Sequence, residues 1–149
     1  MYLDAAYIVK VYLNEPDSDA VRALVKRAAA LSSSALSIAE VNCVFHRRLR
    51  DGRITRDHCL ELASTFARHI AAGLWNLAPV SQSLLKRTGT LVISAPPGIF
   101  IRAGDAIQLL TAQELGEPEI WTGDKHVLAA APWFGLVGRS VDNGGTVLS

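Results

Sequence analysis

The chain predicts an α/β fold in which a short parallel sheet of four or five strands carries helices on both faces. Three observations carry that expectation. Short apolar runs alternate with longer stretches of helical spacing throughout the sequence. Half of the 149 residues are hydrophobic, enough for one well-filled core at this length. No internal repeat or low-complexity tract interrupts the alternation. A domain over residues 1–140 with a loose tail over 141–149, around Asn143-Gly144-Gly145, is the expected organisation.

The elements follow in order. Met1 to Leu3 reads as a short buried strand ending at Asp4. Ala5 to Leu13 has helical spacing, and Asn14-Glu15-Pro16 stops it. Asp17 and Ser18 are N-cap candidates for a helix reaching about Ala30. Leu31 to Ala35 is a strand of small residues. Ser37 is placed to cap the next helix, with Glu40 at capping-box spacing, and Asp51-Gly52 ends it. Thr55 caps a helix through about Ala71, stopped by Gly73. Leu74 to Val80 is a strand, and Ser81 opens another helix. Ser94-Ala95-Pro96-Pro97-Gly98 is a loop. Arg102 to Leu115 is a strongly apolar helix closed by Gly116. Glu119 to Thr122 is a strand. Gly123-Asp124 turns into a helix that Pro132 ends, and Phe134 to Val137 is read as the last strand.

Net charge is only +1, so overall basicity gives no argument for nucleic acid. The distribution says more. No acidic residue lies between Leu62 and Gly104, where Arg68, Lys86, Arg87 and Arg102 are basic, and Arg47, Arg48, Arg50, Arg53 and Arg56 form a second cluster. Such clusters are either solvated helix faces or phosphate-contacting surfaces. Cys43 and Cys59 fit no metal spacing and are expected as buried thiols of a reduced, cytosolic protein. Trp75, Trp121 and Trp133 each adjoin a predicted strand or turn and are expected in the core. Asp4 and Lys10 break any signal-peptide run, and no stretch approaches the roughly 20 apolar residues of a membrane span. Walker A, dinucleotide-binding and G-x-S-x-G motifs are absent.

Parallel sheets of this kind bind ligands beyond the carboxyl ends of their strands. Three acids fall at those junctions, Asp4, Asp105 and Asp124, and Glu40 lies in the first turn of its helix. Each is set among apolar or small residues, where a lone carboxylate is costly to desolvate. Several such groups together would repel one another, and a divalent cation relieves both problems. Hard oxygen donors select Mg²⁺ or Mn²⁺ over zinc. Taken singly, an acid in a first helical turn is also explained by capping and the helix dipole. Asp4 follows an apolar strand and has no obvious long helix to cap.

Four stretches carry a family resemblance: MYLDAAYIVKVYLNEP from Met1, SALSIAEVNCVFHR from Ser34, IRAGDAIQLLTAQELG from Ile101 and IWTGDKHVLAAAPWFGL from Ile120. In order and spacing they resemble the PIN-domain nucleases, specifically the VapC-type toxins of toxin–antitoxin pairs. The resemblance implies a three-layer α/β/α sandwich and an Mg²⁺- or Mn²⁺-dependent ribonuclease. By motif position it places the metal and catalytic acids on Asp4, Glu40, Asp105 and Asp124, with Thr122 as a supporting hydroxyl. It further implies an RNA substrate cut to leave 5′-phosphates, a VapB-type antitoxin that blocks the acidic groove, and a homodimer. Arg102, one turn before Asp105, and Lys125 beside Asp124 are candidates to contact substrate phosphates, with surface ion pairing as the alternative for each. The helices from Ala5 and after Asp17 are candidate partner surfaces.

One departure stands out. The family often carries a hydroxyl or amide within two places of its first Asp, and here Ala5 and Ala6 fill those places. A catalytically weak module that binds RNA or protein is therefore the alternative. An aspartyl phosphatase would need a second Asp where Ala6 stands, which disfavours that class.

Overall fold

A computed structural model describes residues 1–141 and, as backbone, the strand Val147–Leu148. The central strand is β1 (Tyr2–Leu3). Its two side chains point to opposite faces, as strand geometry requires, and each enters a different apolar cluster. Around it lie β2 (Leu31–Ser34), β3 (Trp75–Ala78), β4 (Glu119–Trp121) and β5 (Val137–Val141), in the order β3-β2-β1-β4-β5 and all parallel. A sixth strand, β6 (Val147–Leu148), pairs antiparallel with β5. Tyr2 stands beside both Ser32 and Ile120, so β1 is buried between neighbours on either side.

The helices divide by face. α1 (Ala5–Tyr12), α2 (Ser18–Arg27), α3 (Ser37–Arg50) and α4 (Arg56–Ala71) pack with Leu3, Leu31, Trp75 and Trp121, around Tyr7, Val41, Phe45 and Phe66. On the other face α5 (Gln82–Ile93), α6 (Ala103–Glu114) and α7 (Lys125–Ala130) pack with Tyr2 and Ile120, around Leu109, Leu110, Val127 and Phe134. This is the expected three-layer sandwich. Among the described residues no helix is long and apolar enough to cross a membrane.

Local chemistry sets several boundaries. The Thr55 hydroxyl accepts from the His58 amide at 3.2 Å and starts α4, and Ser81 accepts from Leu84 N at 3.1 Å and starts α5. Gly73, at φ +74°, ends the turn before β3 in a conformation that L side chains rarely adopt.

The C-terminal segment corrects the sequence reading. Phe134–Val137 is not a strand: Ala131–Phe134 forms a 3-10 turn, and β5 begins at Val137. Pro132 lies in the first turn of that 3-10 segment, where its missing N–H leaves no bond unmade. β5 reads poorly as a strand because it contains Gly138. A Cβ there would lie 3.0 Å from Leu128 Cα, so the glycine lets α7 close onto the strand. The expected tail over 141–149 falls largely outside the described residues.

Three further expectations change. Cys43 is exposed on α3, and Cys59 on α4 is only half-buried, at the margin of the core it packs against. Trp133 is 37% exposed, since the 3-10 turn directs Phe134 inward in its place. The apolar face of α1 is taken up by the core, with Tyr7, Ile8 and Val9 almost wholly buried, and is no free partner surface.

Candidate metal centre

The strand order reverses between β1 and β4. The chain steps from β1 through β2 to β3, then crosses to β4 on the opposite side of β1. A crevice opens at such a switch point, beyond the carboxyl ends of the strands. A cleft of about 110 Å³ lies there, lined by Asp4, Glu40, Asp105 and Asp124 with Ala5, Ala6, Gln108 and Val127. Residues more than a hundred positions apart in sequence thus meet at one rim of the sheet.

Each acid is fixed by the start of a helix. Asp4 is the N-cap of α1, its Oδ1 accepting from Tyr7 N at 2.9 Å. The helix it caps is short, at 8 residues, in keeping with the expectation that Asp4 has no long helix to serve. Asp124 caps α7, accepting from His126 N at 2.8 Å. Asp105 sits at the third position of α6, and its Oδ2 lies 3.4 Å from the Arg102 amide. Glu40 lies in the first turn of α3. Helix N-termini carry partial positive charge, and four of them make a gathering of acids tolerable in one place.

Glu40 does not form the expected capping box. α3 begins with Leu36 as its cap and makes no side-chain cap bond. Ser37 is wholly buried instead, its hydroxyl 2.8 Å from that of Ser33. Glu40 Oε2 accepts from Gln108 Nε2 at 2.7 Å, and the same nitrogen donates to Ser37 Oγ at 2.9 Å. Gln108 Oε1 accepts from the Tyr2 hydroxyl at 2.6 Å. Gln108 therefore ties the central strand to Glu40, and the sequence reading passed it over. Its signal was a polar side chain one helical turn after Asp105 within an otherwise apolar stretch. Gln108→Leu is expected to cost about 1–3 kcal/mol, because Tyr2 and Ser37 lose buried partners. Urea unfolding reads this, and an unchanged midpoint would contradict the network. Gly104 completes the arrangement: a Cβ there would stand 3.0 Å from Glu40 Oε1, so glycine lets α6 approach the carboxylate.

Thr122 is wholly buried and joins two of the acids. Its hydroxyl donates to Asp4 Oδ2 and accepts from the Asp124 amide at 2.9 Å. Arg102 joins another pair: Nε donates to Asp105 Oδ2 at 2.8 Å, and Nη2 donates to Asp124 Oδ2. Lys125 is exposed at the first position of α7 and does not line the cleft.

The electrostatics differ from acid to acid. Burial pushes the Asp4 carboxyl up to about 7, against the Thr122 and Tyr7 hydrogen bonds, with Glu40 and Asp124 adding to the rise. Burial also raises Glu40; Gln108 offsets part of this, and Asp105 adds to it. For Asp124 burial acts upward, but the His126 amide and Arg102 outweigh it and hold the carboxyl below its ordinary value. The cleft thus combines two acids that burial makes reluctant to ionise, Asp4 and Glu40, with Asp124, which its hydrogen bonds favour in the charged form, a set of hard oxygen donors suited to a divalent cation. Among the described residues no three His, Cys, Asp or Glu side chains stand close enough to hold one ion together. The carboxylates are instead engaged by Thr122, Gln108 and Arg102. Cation binding here therefore requires the set to draw inward.

A family model for the PIN domain matches residues 1–132. The chain belongs to the PIN domain family. Ribonuclease VapC46 of Mycobacterium tuberculosis (strain ATCC 25618 / H37Rv) is 34% identical over 138 residues, covering 91% of this PIN domain chain and 93% of that protein. That similarity bears out the resemblance to VapC-type members. The crystal structure of Mycobacterium tuberculosis VapC20, a sarcin-ricin loop cleaving toxin, superposes with a TM-score of 0.70 at 12% identity, over 87% of this chain and 93% of that one. The structure of FitAB bound to an IR36 DNA fragment gives a TM-score of 0.65 at 15% identity, over 93% of each chain. At those identities the two structures speak for the fold.

Proposed function

We propose that this PIN domain is a divalent-cation-dependent endoribonuclease, the toxin of a toxin–antitoxin pair. The observation that carries the reading is the convergence of Asp4, Glu40, Asp105 and Asp124 on one cleft at the switch point of the sheet. The similarity to a protein named Ribonuclease VapC46 supports RNA as the substrate.

A bound Mg²⁺ or Mn²⁺ would supply charge, acidifying water and offsetting negative charge on the phosphate oxygens. Asp4 and Asp105 would hold the ion, with Glu40 and Asp124 supporting it, and together they would supply the negative charge that keeps a divalent cation in the cleft. Thr122 orients the carboxylate of Asp4, and Gln108 orients that of Glu40. Water attacks phosphorus and the bond to the 3′ oxygen breaks, leaving a 5′-phosphate. Lys125, exposed beside Asp124, and Arg102, once free of the carboxylates, offer positive charge to the RNA backbone. A VapB-type antitoxin covers the acidic cleft, and the active form is a cytosolic homodimer; these follow from the VapC-type resemblance.

The test compares the chain with Asp4→Asn and Asp105→Asn, measuring RNA cleavage in Mg²⁺ and in EDTA and growth arrest on expression. Each substitution is expected to lower cleavage by about 10²–10³-fold or more, by analogy with loss of one charge-stabilising group. Equal activity in all three proteins would remove the assignment. A second reading rests on Ala5 and Ala6, which line the cleft where a hydroxyl or amide would help hold water. Cation binding without RNA cleavage would select that reading, a binding module.

A further inference from the structure

Arg102 is the basic side chain that bonds the acids of the cleft, and the way it does so has a consequence for cation binding. It stands just before α6, in extended backbone at φ −94° and ψ 159°. Its guanidinium spans two carboxylates from different elements, Asp105 on α6 and Asp124 at the start of α7. Nε and Nη2 reach Asp105 Oδ2 and Oδ1 at 2.8 and 3.4 Å, and Nη2 also reaches Asp124 Oδ2. A planar guanidinium matches paired carboxylate oxygens in this forked manner. Its Cζ lies 5.9 Å from the centre of the Phe100 ring, which itself packs against His126 at 4.5 Å.

The oxygens held by Arg102 belong to two of the acids that line the cleft. A cation binding to Asp105 and Asp124 would need lone pairs that the guanidinium now occupies. Like charges drawn onto the same carboxylates would also repel each other. The Arg102 side chain is 54% exposed, so it leaves by rotating into water without disturbing the core. Asp105 and Asp124 are the shielded partners, at 18% and 28% exposure, so the guanidinium is the group free to move and its forked hold is what a cation must overcome.

We infer that Arg102 is a built-in competitor of the divalent cation, bridging Asp105 and Asp124 in the cation-free protein and leaving them when the cation binds. This inference rests on the reading of the cleft as a cation site. Displacement of a charged group lowers the apparent affinity for the ion, so the protein stays unloaded at low cation concentration. The guanidinium is then released at the mouth of the cleft, where RNA phosphates would arrive.

Calorimetric titration of the full chain with Mn²⁺ tests it, comparing wild type, Arg102→Met and Lys125→Met. Methionine keeps the length and removes the fork and the charge. Lys125→Met removes a nearby charge that bonds neither carboxylate, and so measures repulsion through space. Arg102→Met is expected to bind Mn²⁺ about 5- to 10-fold tighter than wild type, and Lys125→Met less than about 2-fold tighter. Circular dichroism in EDTA should show both variants folded, since both side chains are largely exposed. Wild type and Arg102→Met binding Mn²⁺ equally would overturn the inference and leave the cation site intact. Equal tightening by both substitutions would also overturn it, by reducing the effect to general repulsion. Weaker binding by Arg102→Met would make Arg102 a supporter of the ion and not its competitor. Absence of binding in every protein would remove both the inference and the cation site.

Discussion

Asp4→Asn is expected to make the cation-free protein more stable at pH 8, by about 2–4 kcal/mol, while it removes activity. Asp4 is 6% exposed, and burial lifts its carboxyl to about 7 from an ordinary value of 3.8. Each unit of that difference corresponds to about 1.4 kcal/mol between the two protonation states. Below pH 4 both folded and unfolded chains carry the proton, and Asp4 imposes no penalty. Between about pH 4 and 7 the unfolded chain has released its proton and the folded one keeps it. Stability therefore falls as pH rises through this window, and the full penalty persists above pH 7. Asparagine mimics the neutral acid: its oxygen still accepts from Tyr7 N, and its amide faces the Thr122 hydroxyl. The advantage of the variant should open from pH 4 to 7 and level off above. Urea unfolding in EDTA across that range measures it. A pH-independent difference would show that Asp4 is not held as a buried, reluctantly charged acid.

Divalent cation should produce the opposite effect on the wild-type protein, relieving the strain that Asp4 imposes. At about 100 times its Kd, an ion that binds only the folded state adds about 2.7 kcal/mol. For a chain of this length that is a rise in Tm of roughly 5–10 °C. The gain should be larger at pH 8 than at pH 6, because below about 7 the proton on Asp4 competes with the ion. Asp105→Asn should abolish most of it. Thermal melts with Mn²⁺ and with EDTA at the two pH values decide the matter. An equal shift in Asp105→Asn would place the ion elsewhere.

Much of this site was legible in the sequence because its acids lie where the fold must bind ligands. Asp4, Asp105 and Asp124 follow strands or open helices, and the alternation of elements alone brings such junctions to one rim. What escaped depends on side-chain direction. Ser37 to Glu40 has the spacing of a capping box, yet Ser37 turns inward to Ser33 and Gln108, leaving Glu40 to the cleft. Gln108 looks like one polar residue on a core helix until Tyr2, Ser37 and Glu40 are seen around it. Asp4 has no long helix to cap, yet its Oδ1 serves as the N-cap of the short α1. At the C-terminal end, Gly138 hid a strand and Pro132 admitted a 3-10 turn, because both depend on how closely α7 packs. For Arg102 the pairing reading holds: Asp105 stands at the i,i+3 spacing that brings opposite charges together, whereas the second partner, Asp124, lies on another element and no local spacing specifies it.

The most direct measurement is anomalous X-ray scattering from crystals of the full chain soaked in Mn²⁺. The predicted result is a manganese peak within ligating distance of Asp4 and Asp105, flanked by Glu40 and Asp124, with the Arg102 guanidinium withdrawn from Asp105. Crystals that take up manganese only at other carboxylates, with Asp4 and Asp105 left as they stand in the free protein, would contradict the account.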